Sequence, residues 1–276
     1  NTSSIFFLTA PDPLRSTWEK ALYSPCIGGE NEELLENLKD LNKLVKELDS
    51  TRMTTMAQVS FTDMESEHNQ ITDVLSYNHY FGWYGGEISE NADWFDEFHK
   101  LYPNRPLGVS EYGAEGILKY HTETPEVKDY TEEYHAYYHE KMLEIFAARP
   151  YLWSTHVWNM FDFGSAIRDE GGVKGRNNKG LVTFDRTIKK DAFYVYKAYW
   201  TEEPMVHVCG RRFIDRPTET TNIKVYSNAN EITLKVNGEV VTTVAGDKVF
   251  LFENVALTMG ENNDAGYDVA NDFRSE

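Results

Sequence analysis

The chain has 276 residues, 41% of them apolar and 26% charged, enough for one large globular domain or a medium one with a small companion. Its 27 basic and 45 acidic side chains leave a net charge of −18, a field that repels phosphate backbones and argues against a nucleic-acid partner. No run approaches the roughly 18–20 apolar residues of a membrane-spanning helix, so a membrane partner is not expected either.

The first eight residues lack a basic n-region and read as interior sequence rather than a signal peptide, which favours a soluble, cytoplasmic setting over secretion. Residues 4–8 are a candidate buried strand. Residues 31–49 carry Leu34, Leu38, Leu41, Val45 and Leu48 at spacings of three and four, the period of a helix. Residues 53–59 and 73–77 read as a second and third strand, and residues 91–100 as a short helix closed by Tyr102-Pro103. A fourth strand, residues 107–110, runs into Glu111. Asp129 is placed to cap a long helix over 129–148, with Glu132 at the capping-box position and Arg149-Pro150 as its stop. Residues 152–158 form a fifth strand, followed by a Gly-rich loop and a last helix near 190–199.

Strands and helices alternating at this spacing predict an α/β fold with parallel strands and crossover helices. A complete eight-stranded barrel needs about 250 residues, so about five strands predict the C-terminal portion of a (β/α)8 TIM barrel, about strands 4–8. The alternative, a small doubly wound sheet, lacks a Gly-rich phosphate turn after its first strand. Composition changes near Glu202-Glu203-Pro204. Beyond it, residues 222–226 and 232–236 alternate β-branched residues, and Asn237-Gly238 is a strong hairpin signal before residues 239–244 and 248–255. The prediction is a partial barrel over 1–203 and a small immunoglobulin-like β-sandwich over 204–276. After Gly260 the sequence turns polar and loses alternation, which predicts a missing last strand or a disordered tail. Cys26 and Cys209 read as two free thiols rather than a bridge or a zinc site.

Hydrolysis of a glycoside with retention needs two carboxyl groups about 5–5.5 Å apart, one attacking the anomeric carbon and the other protonating the leaving oxygen. In a β/α barrel both stand at the C-terminal ends of strands. Glu111 is placed that way, directly after residues 107–110 and before the small turn Gly113-Ala114. Strand-end carboxylates also serve as caps and ion-pair partners, so position alone leaves that reading open. Aromatic residues, 14% of the chain, suit a carbohydrate partner because their rings stack on apolar sugar faces, without naming the sugar.

Ser110-Glu111-Tyr112-Gly113-Ala114-Glu115 resembles the nucleophile motif of glycoside hydrolase family 2, the family of β-galactosidases, β-glucuronidases and β-mannosidases. Asn78-His79-Tyr80-Phe81-Gly82-Trp83-Tyr84 resembles that family's strand-six motif. Trp153-Ser154-Thr155-His156-Val157-Trp158-Asn159-Met160 resembles its strand-eight motif, and Asn177-Asn178-Lys179-Gly180-Leu181 completes the set in the family's order. The resemblance implies that Glu111 is the nucleophile and that Tyr80 donates to its carboxylate. It further implies that Trp158 walls the sugar subsite and that Asn78, Asn177 and Lys179 bind substrate. β-Glucuronidases use an Asn-x-Lys pair to hold the sugar's carboxylate, Lys supplying charge and Asn a donor, so the pair does not separate the sugars.

The wording of residues 170–181 and 189–194 is most similar to bacterial β-galactosidases, which also carry a sandwich after the barrel. The expectation is therefore retaining hydrolysis of terminal β-D-galactosides through a glycosyl-enzyme on Glu111. A β-glucuronidase of the same family, or a truncated non-catalytic carbohydrate-binding remnant, is the alternative. No cofactor is called for; the resemblance alone allows a Mg2+ or Na+ ion near the site, and the sequence offers no ligand cluster for one. A half barrel alone leaves sheet edges open, which makes a homo-oligomer a candidate assembly.

The family's acid/base glutamate closes barrel strand four in a phrase resembling Ser-Ile-Phe-Phe-Trp-Gly-Leu-Ser-Asn-Glu. Ser4-Ile5-Phe6-Phe7 begins that phrase, but the expected Asn-Glu pair falls on Asp12 and Pro13, and proline transfers no proton. Residues 8–27 depart from the family, which resumes at Gly28-Gly29-Glu30. Asp12, Glu19 and Glu30 are the nearby acids, and nothing in the sequence positions them. Barrel strands one to three and the family's preceding domains are likewise expected outside this chain.

Overall fold

The structure, a computed structural model, describes residues 32–258, 260, 262 and 264–268. The chain divides into two compact units, Asn1–Tyr112 with Glu144–Val157 and Gly113–Leu143 with Trp158–Glu276. The strand expected at residues 4–8, Cys26 and the acids Asp12, Glu19 and Glu30 lie outside the described residues.

The first unit holds helix α1 (Glu32–Leu48), strands β1 (Thr55–Val59) and β2 (Val74–Asn78), helix α2 (Glu90–Leu101), strand β3 (Leu107–Tyr112) and strand β4 (Leu152–Val157). It also takes the last turn of helix α3 (Glu132–Ala147). The four strands form one parallel sheet in the order β1-β2-β3-β4, each beside the next in sequence. That winding is the one expected of the back of a β/α barrel. The return between β1 and β2 departs from the alternation: its ordered element is a 3₁₀ turn, Glu67–Gln70, where a barrel has an α-helix.

β2 and β3 are covered on both faces, as parallel strands under helices are. Each has a single position that is not fully buried: Asn78 in β2 and Glu111 in β3. The burial pattern alone therefore singles out the two polar residues of the expected site. α1 seats Leu34 and Leu38 against Met56 and Ile71. Its last turn is fastened by Lys46, whose Nζ stands 2.6 Å from Asp73 Oδ2, the oxygen that also accepts from Thr54 N at 2.8 Å. α2 buries Phe95 and Phe98. Arg149, just past α3, forks onto Asp96 of α2 through Nε–Oδ1 at 2.9 Å and an Nη2–Oδ2 bond at 2.6 Å, a bidentate pair.

The second unit begins with the loop after β3 and most of α3. The helix cap differs from expectation: Thr131 Oγ1 accepts from Tyr134 N at 3.1 Å, while Asp129 accepts from the Thr131 amide and hydroxyl. Glu132 turns away from a capping box to pair with Arg212. The expected Gly-rich loop is an antiparallel hairpin, β5 (Phe163–Glu170) and β6 (Val173–Asn177). Gly171 and Gly172, at φ +63° and +74°, make the two-residue turn that only left-handed backbone allows. Helix α4 (Asp191–Trp200) follows.

The rest of the unit is a sandwich of two three-stranded antiparallel sheets, β11-β8-β7 and β10-β9-β12. Its strands are β7 (Val206–Val208), β8 (Thr220–Ser227), β9 (Glu231–Val236), β10 (Glu239–Ala245), β11 (Lys248–Ala256) and β12 (Asp264–Asp268). Strand β12 pairs along β9, in the stretch after Gly260 for which the sequence predicts a missing last strand or a disordered tail. Ile223, Val225, Ile232, Leu234, Phe250 and Phe252 form the shared core. The β9–β10 turn is Asn237-Gly238, both at positive φ (+53° and +87°), as its sequence predicts.

Side-chain ties join the sandwich to the helices of its own unit. Glu140 of α3 takes the Lys224 ammonium at 2.6 Å and the Tyr226 hydroxyl. His207 stacks on Tyr194 at 3.6 Å and bonds Asp191 Oδ1 at 2.9 Å. Arg212 spans Glu132 and Asp191, two buried carboxylates.

Candidate active site

In the first unit the site forms where β2 and β3 end side by side. Asn78 pairs with Glu111 in the ladder, and His79 N donates to Glu111 O at 2.7 Å, so backbone bonds fix both strand ends. Ser110 Oγ donates to Asn78 Oδ1 at 2.7 Å, which orients the Asn78 amide. Tyr80 lies two residues beyond β2, where Trp83 N and Tyr84 N bond its carbonyl and turn the chain. From there its Oη donates to Glu111 Oε2 at 2.7 Å. A short bond from a phenol to a carboxylate is charge-assisted, and it fixes which way the carboxylate lone pairs point.

His79, between these residues, is core. It is wholly buried among Trp94 and Phe95, with ring centroids at 4.4 and 4.6 Å, and neither ring nitrogen has a hydrogen-bond partner. Burial pushes its pKa down to about 3, so it stays a neutral aromatic.

The second unit gathers Trp158, Asn177 and Lys179. Trp158, whose peptide bond to Asn159 is cis, has its ring 5.7 Å from Phe163 and perpendicular to it. Asn159 ties the segment by its backbone: Asn159 N donates to Lys179 O at 3.1 Å, and Leu181 N donates to Asn159 O at 3.0 Å. Asn177 Oδ1 accepts from Lys179 N at 3.0 Å, which ties the Asn177 side chain to the Lys179 backbone. The Lys179 side chain is 1% exposed, and its Nζ sits 3.3 Å from Glu115 Oε1.

Glu115, four residues after Glu111, is fully buried. Its Oε2 accepts from Asn178 N at 3.0 Å and Asn178 Nδ2 at 3.3 Å, and its Oε1 takes Lys179 and Arg168 of β5. Burial alone would raise this carboxyl, but Lys179, the Asn178 amide and Arg168 outweigh it and hold the pKa below the usual range. Lys190 staples the same loops, with Nζ at 2.7 Å from Gly116 O, 2.8 Å from Asp162 Oδ1 and 3.0 Å from Asn178 O. All three of its N–H donors thus meet an acceptor. Beneath lie His135 and His139 of α3, both kept neutral chiefly by burial.

Tyr80 and Glu111 therefore meet directly with Asn78 beside them, and Asn177 and Lys179 meet in the other unit, where Trp158 also stands. Glu115, Arg168, Lys190 and Ser110 are additions to the residues the sequence singles out. The signal for Glu115 is a pair of basic residues, Arg168 and Lys179, that need a buried counter-charge. Among the described residues the one metal-type grouping is Asp191, His207 and Cys209, with donor atoms within 4.8 Å of one another. Arg212 stands 3.0 Å from Asp191 Oδ1, and Gly210 N takes the other oxygen at 2.7 Å, so a guanidinium holds the place a cation would need. No helix among the described residues is long and apolar enough to cross a membrane.

Residues 26–203 match the family described as glycosyl hydrolases family 2, TIM barrel domain. Over 237 residues the chain is 40% identical to a β-glucuronidase of Bacteroides fragilis, covering 83% of this chain and 33% of that protein. Among solved structures, an FMN-binding β-glucuronidase from Faecalibacterium prausnitzii L2-6 superposes with a TM-score of 0.87 at 54% identity, covering 90% of this chain and 39% of that one. A candidate β-galactosidase from Bacteroides fragilis superposes with a TM-score of 0.82 at 32% identity, covering 88% of this chain and 38% of that one. The chain thus spans about a third (33%) of the length of the curated B. fragilis relative it matches.

Proposed function

The chain belongs to glycoside hydrolase family 2, and on that premise we propose that it supplies the nucleophile and sugar pocket of a retaining β-glucuronidase. The observation that carries the catalytic half is the Tyr80–Glu111 contact at 2.7 Å, at the ends of adjacent parallel strands. Glu111 attacks the anomeric carbon and forms the glycosyl-enzyme ester as the bond to the leaving oxygen breaks. The leaving oxygen takes a proton from an acid, which then activates the water that releases Glu111. The family's Asn-Glu pair falls on Asp12 and Pro13, so its place for that acid holds a proline, outside the described residues. Tyr80 holds Glu111 in line for attack, and Trp158 walls the sugar.

The expected β-galactoside gives way to a β-glucuronide as the preferred substrate. Two relatives that overlap most of this chain, at 40% and 54% identity, are β-glucuronidases. The Asn177-x-Lys179 pair suits the sugar's carboxylate, with an ammonium for its charge and an amide N–H for its second oxygen. The B. fragilis candidate β-galactosidase, at 32% identity, keeps the galactoside as the second reading. A boundary at residues 203 and 204, dividing barrel from sandwich, belongs to the same proposal and agrees with the end of the family match at residue 203. A homo-oligomer is the proposed assembly, tested by light scattering.

Dinitrophenyl glycosides test the reaction, because dinitrophenolate leaves without a proton. The chain is expected to release a burst of dinitrophenolate from the β-glucuronide and to retain a glucuronyl adduct on the peptide containing Glu111. Glu111→Gln abolishes both. A burst with the β-galactoside alone selects the second reading, and no adduct with either sugar refutes the proposal.

A further inference from the structure

We infer that Glu115 is the positioning residue that sets where Lys179 presents its charge, and so acts on sugar selection without touching the sugar. The inference rests on the reading of Lys179 as the lysine that receives the sugar carboxylate. A lysine chain that is 1% exposed has no freedom to search for a ligand. Its backbone is fixed by Asn159 and by the Asn177 side chain, and its ammonium lies against the buried Glu115 carboxylate. Glu115 is thus the buried counter-charge against which the Lys179 ammonium is set.

Glu115 suits this role through the division of its two oxygens. Oε2 is gripped by the backbone and side-chain amides of Asn178, the residue between Asn177 and Lys179. Oε1 faces Lys179 and Arg168. One carboxylate thus fixes the loop and aims the cation the loop carries. Arg168 has a second carboxylate, Glu170, at 3.2 Å, and Glu170 is itself bonded by the Tyr130 hydroxyl at 3.3 Å. Arg168 is thereby anchored on the hairpin side and braces Glu115 from there. The remaining contacts of the loop, Gly116 N to Asn178 O at 3.1 Å and the Lys190 staple, fix its backbone.

Glutamine at 115 keeps the shape but replaces one acceptor with a donor in a site built from donors: two amide groups, an ammonium and a guanidinium. Hydrogen bonds to charged groups contribute about 1.5–3 kcal/mol, so Glu115→Gln is expected to raise KM for an aryl β-glucuronide by about 10- to 100-fold. The kcat should stay within about threefold, because the reacting atoms are untouched. Lys179→Met should raise KM similarly. The double variant separates positioning from general support: if Glu115 acts through Lys179, Glu115→Gln adds nothing once the ammonium is gone.

The experiment measures kcat and KM for dinitrophenyl β-glucuronide on the full chain with Glu115→Gln, Lys179→Met and the two combined. Glu115→Asp, which keeps the anion on a shorter arm, is expected to give an intermediate KM and stands in if the Gln variant does not fold. A Glu115→Gln variant that loses kcat at unchanged KM overturns the inference, as do single effects that multiply in the double variant. A wild-type chain with no β-glucuronide turnover fails before any variant is made, and that result removes the proposed function together with the inference.

Discussion

Tyr80→Phe deletes one hydroxyl and leaves the turn that carries it unchanged. The Tyr80 carbonyl accepts from Trp83 N and Tyr84 N at 3.0 and 3.1 Å, and the ring faces Tyr84 at 5.1 Å; neither contact uses the phenolic oxygen. What disappears is the 2.7 Å bond to Glu111 Oε2. A hydrogen bond to a charged group contributes about 1.5–3 kcal/mol. If it is made in full when Glu111 attacks, each 1.36 kcal/mol is about a tenfold change in rate, and the variant should form the glycosyl-enzyme roughly 10- to 100-fold more slowly. Stopped-flow release of dinitrophenolate measures that step directly, with thermal melting run alongside. A burst rate within about threefold of wild type, at an unchanged melting temperature, would refute the assignment of Tyr80 as the residue orienting the nucleophile.

Arg212→Met strips the shared cation from Glu132 and Asp191 and should destabilise the fold by about 3–5 kcal/mol in urea titrations. Burial and the neighbouring Asp191 already raise the Glu132 pKa, so the folded state binds the extra proton and stability falls as pH rises through that window. The loss should therefore be larger at about pH 8 than at about pH 5, and the opposite trend would exclude Glu132 as its source. Gly113→Ala drives a Cβ into the Trp158 carbonyl oxygen and should cost about 1–3 kcal/mol, read as a lower melting temperature. Gly238→Ala, at φ +87°, should lower the unfolding free energy read from urea titrations by roughly 1 kcal/mol through left-handed strain while glycosyl-enzyme formation stays unchanged.

Strands β2, β3 and β4 were legible because buried parallel strands leave short apolar runs that end at turn residues, and helix α1 because its leucines repeat at helical spacing. The position of Glu111 followed from the same pattern. The β5–β6 hairpin was not legible. Phe163–Glu170 alternates half-buried and exposed positions but slips phase midway and has no fully buried residue, so its sequence lacks the apolar/polar alternation that marks a strand. Asp129 and Thr131 are both good caps, and the choice between them is made by the fold: Glu126 N occupies Asp129 Oδ2, and Thr131 takes the helix. Glu132 left its capping box for Arg212, 80 residues away in sequence. Glu115 stood in plain view within the nucleophile motif, but its partners lie 53 and 64 residues downstream, a distance no local pattern spans. The sugar was the least legible feature: the wording of residues 170–181 points to a galactoside, whereas two relatives that overlap most of the chain are β-glucuronidases.

The Lys190 staple has a consequence for how such a site changes through descent. Its ammonium joins the carbonyls of Gly116 and Asn178 to Asp162, so the segment that follows Glu111 and the segment that carries Asn177 and Lys179 share one buried clasp. Substitutions at 177–179 are then read out against whatever stands at 113–116, and their effects are epistatic by construction. Grafting the hairpin and Asn-x-Lys segment of a relative into this chain should transfer sugar preference only when the 113–116 segment and Lys190 travel with it. On the proposed reading, sugar preference is carried by the three segments together, and new preferences should arise by paired changes across them rather than by single steps.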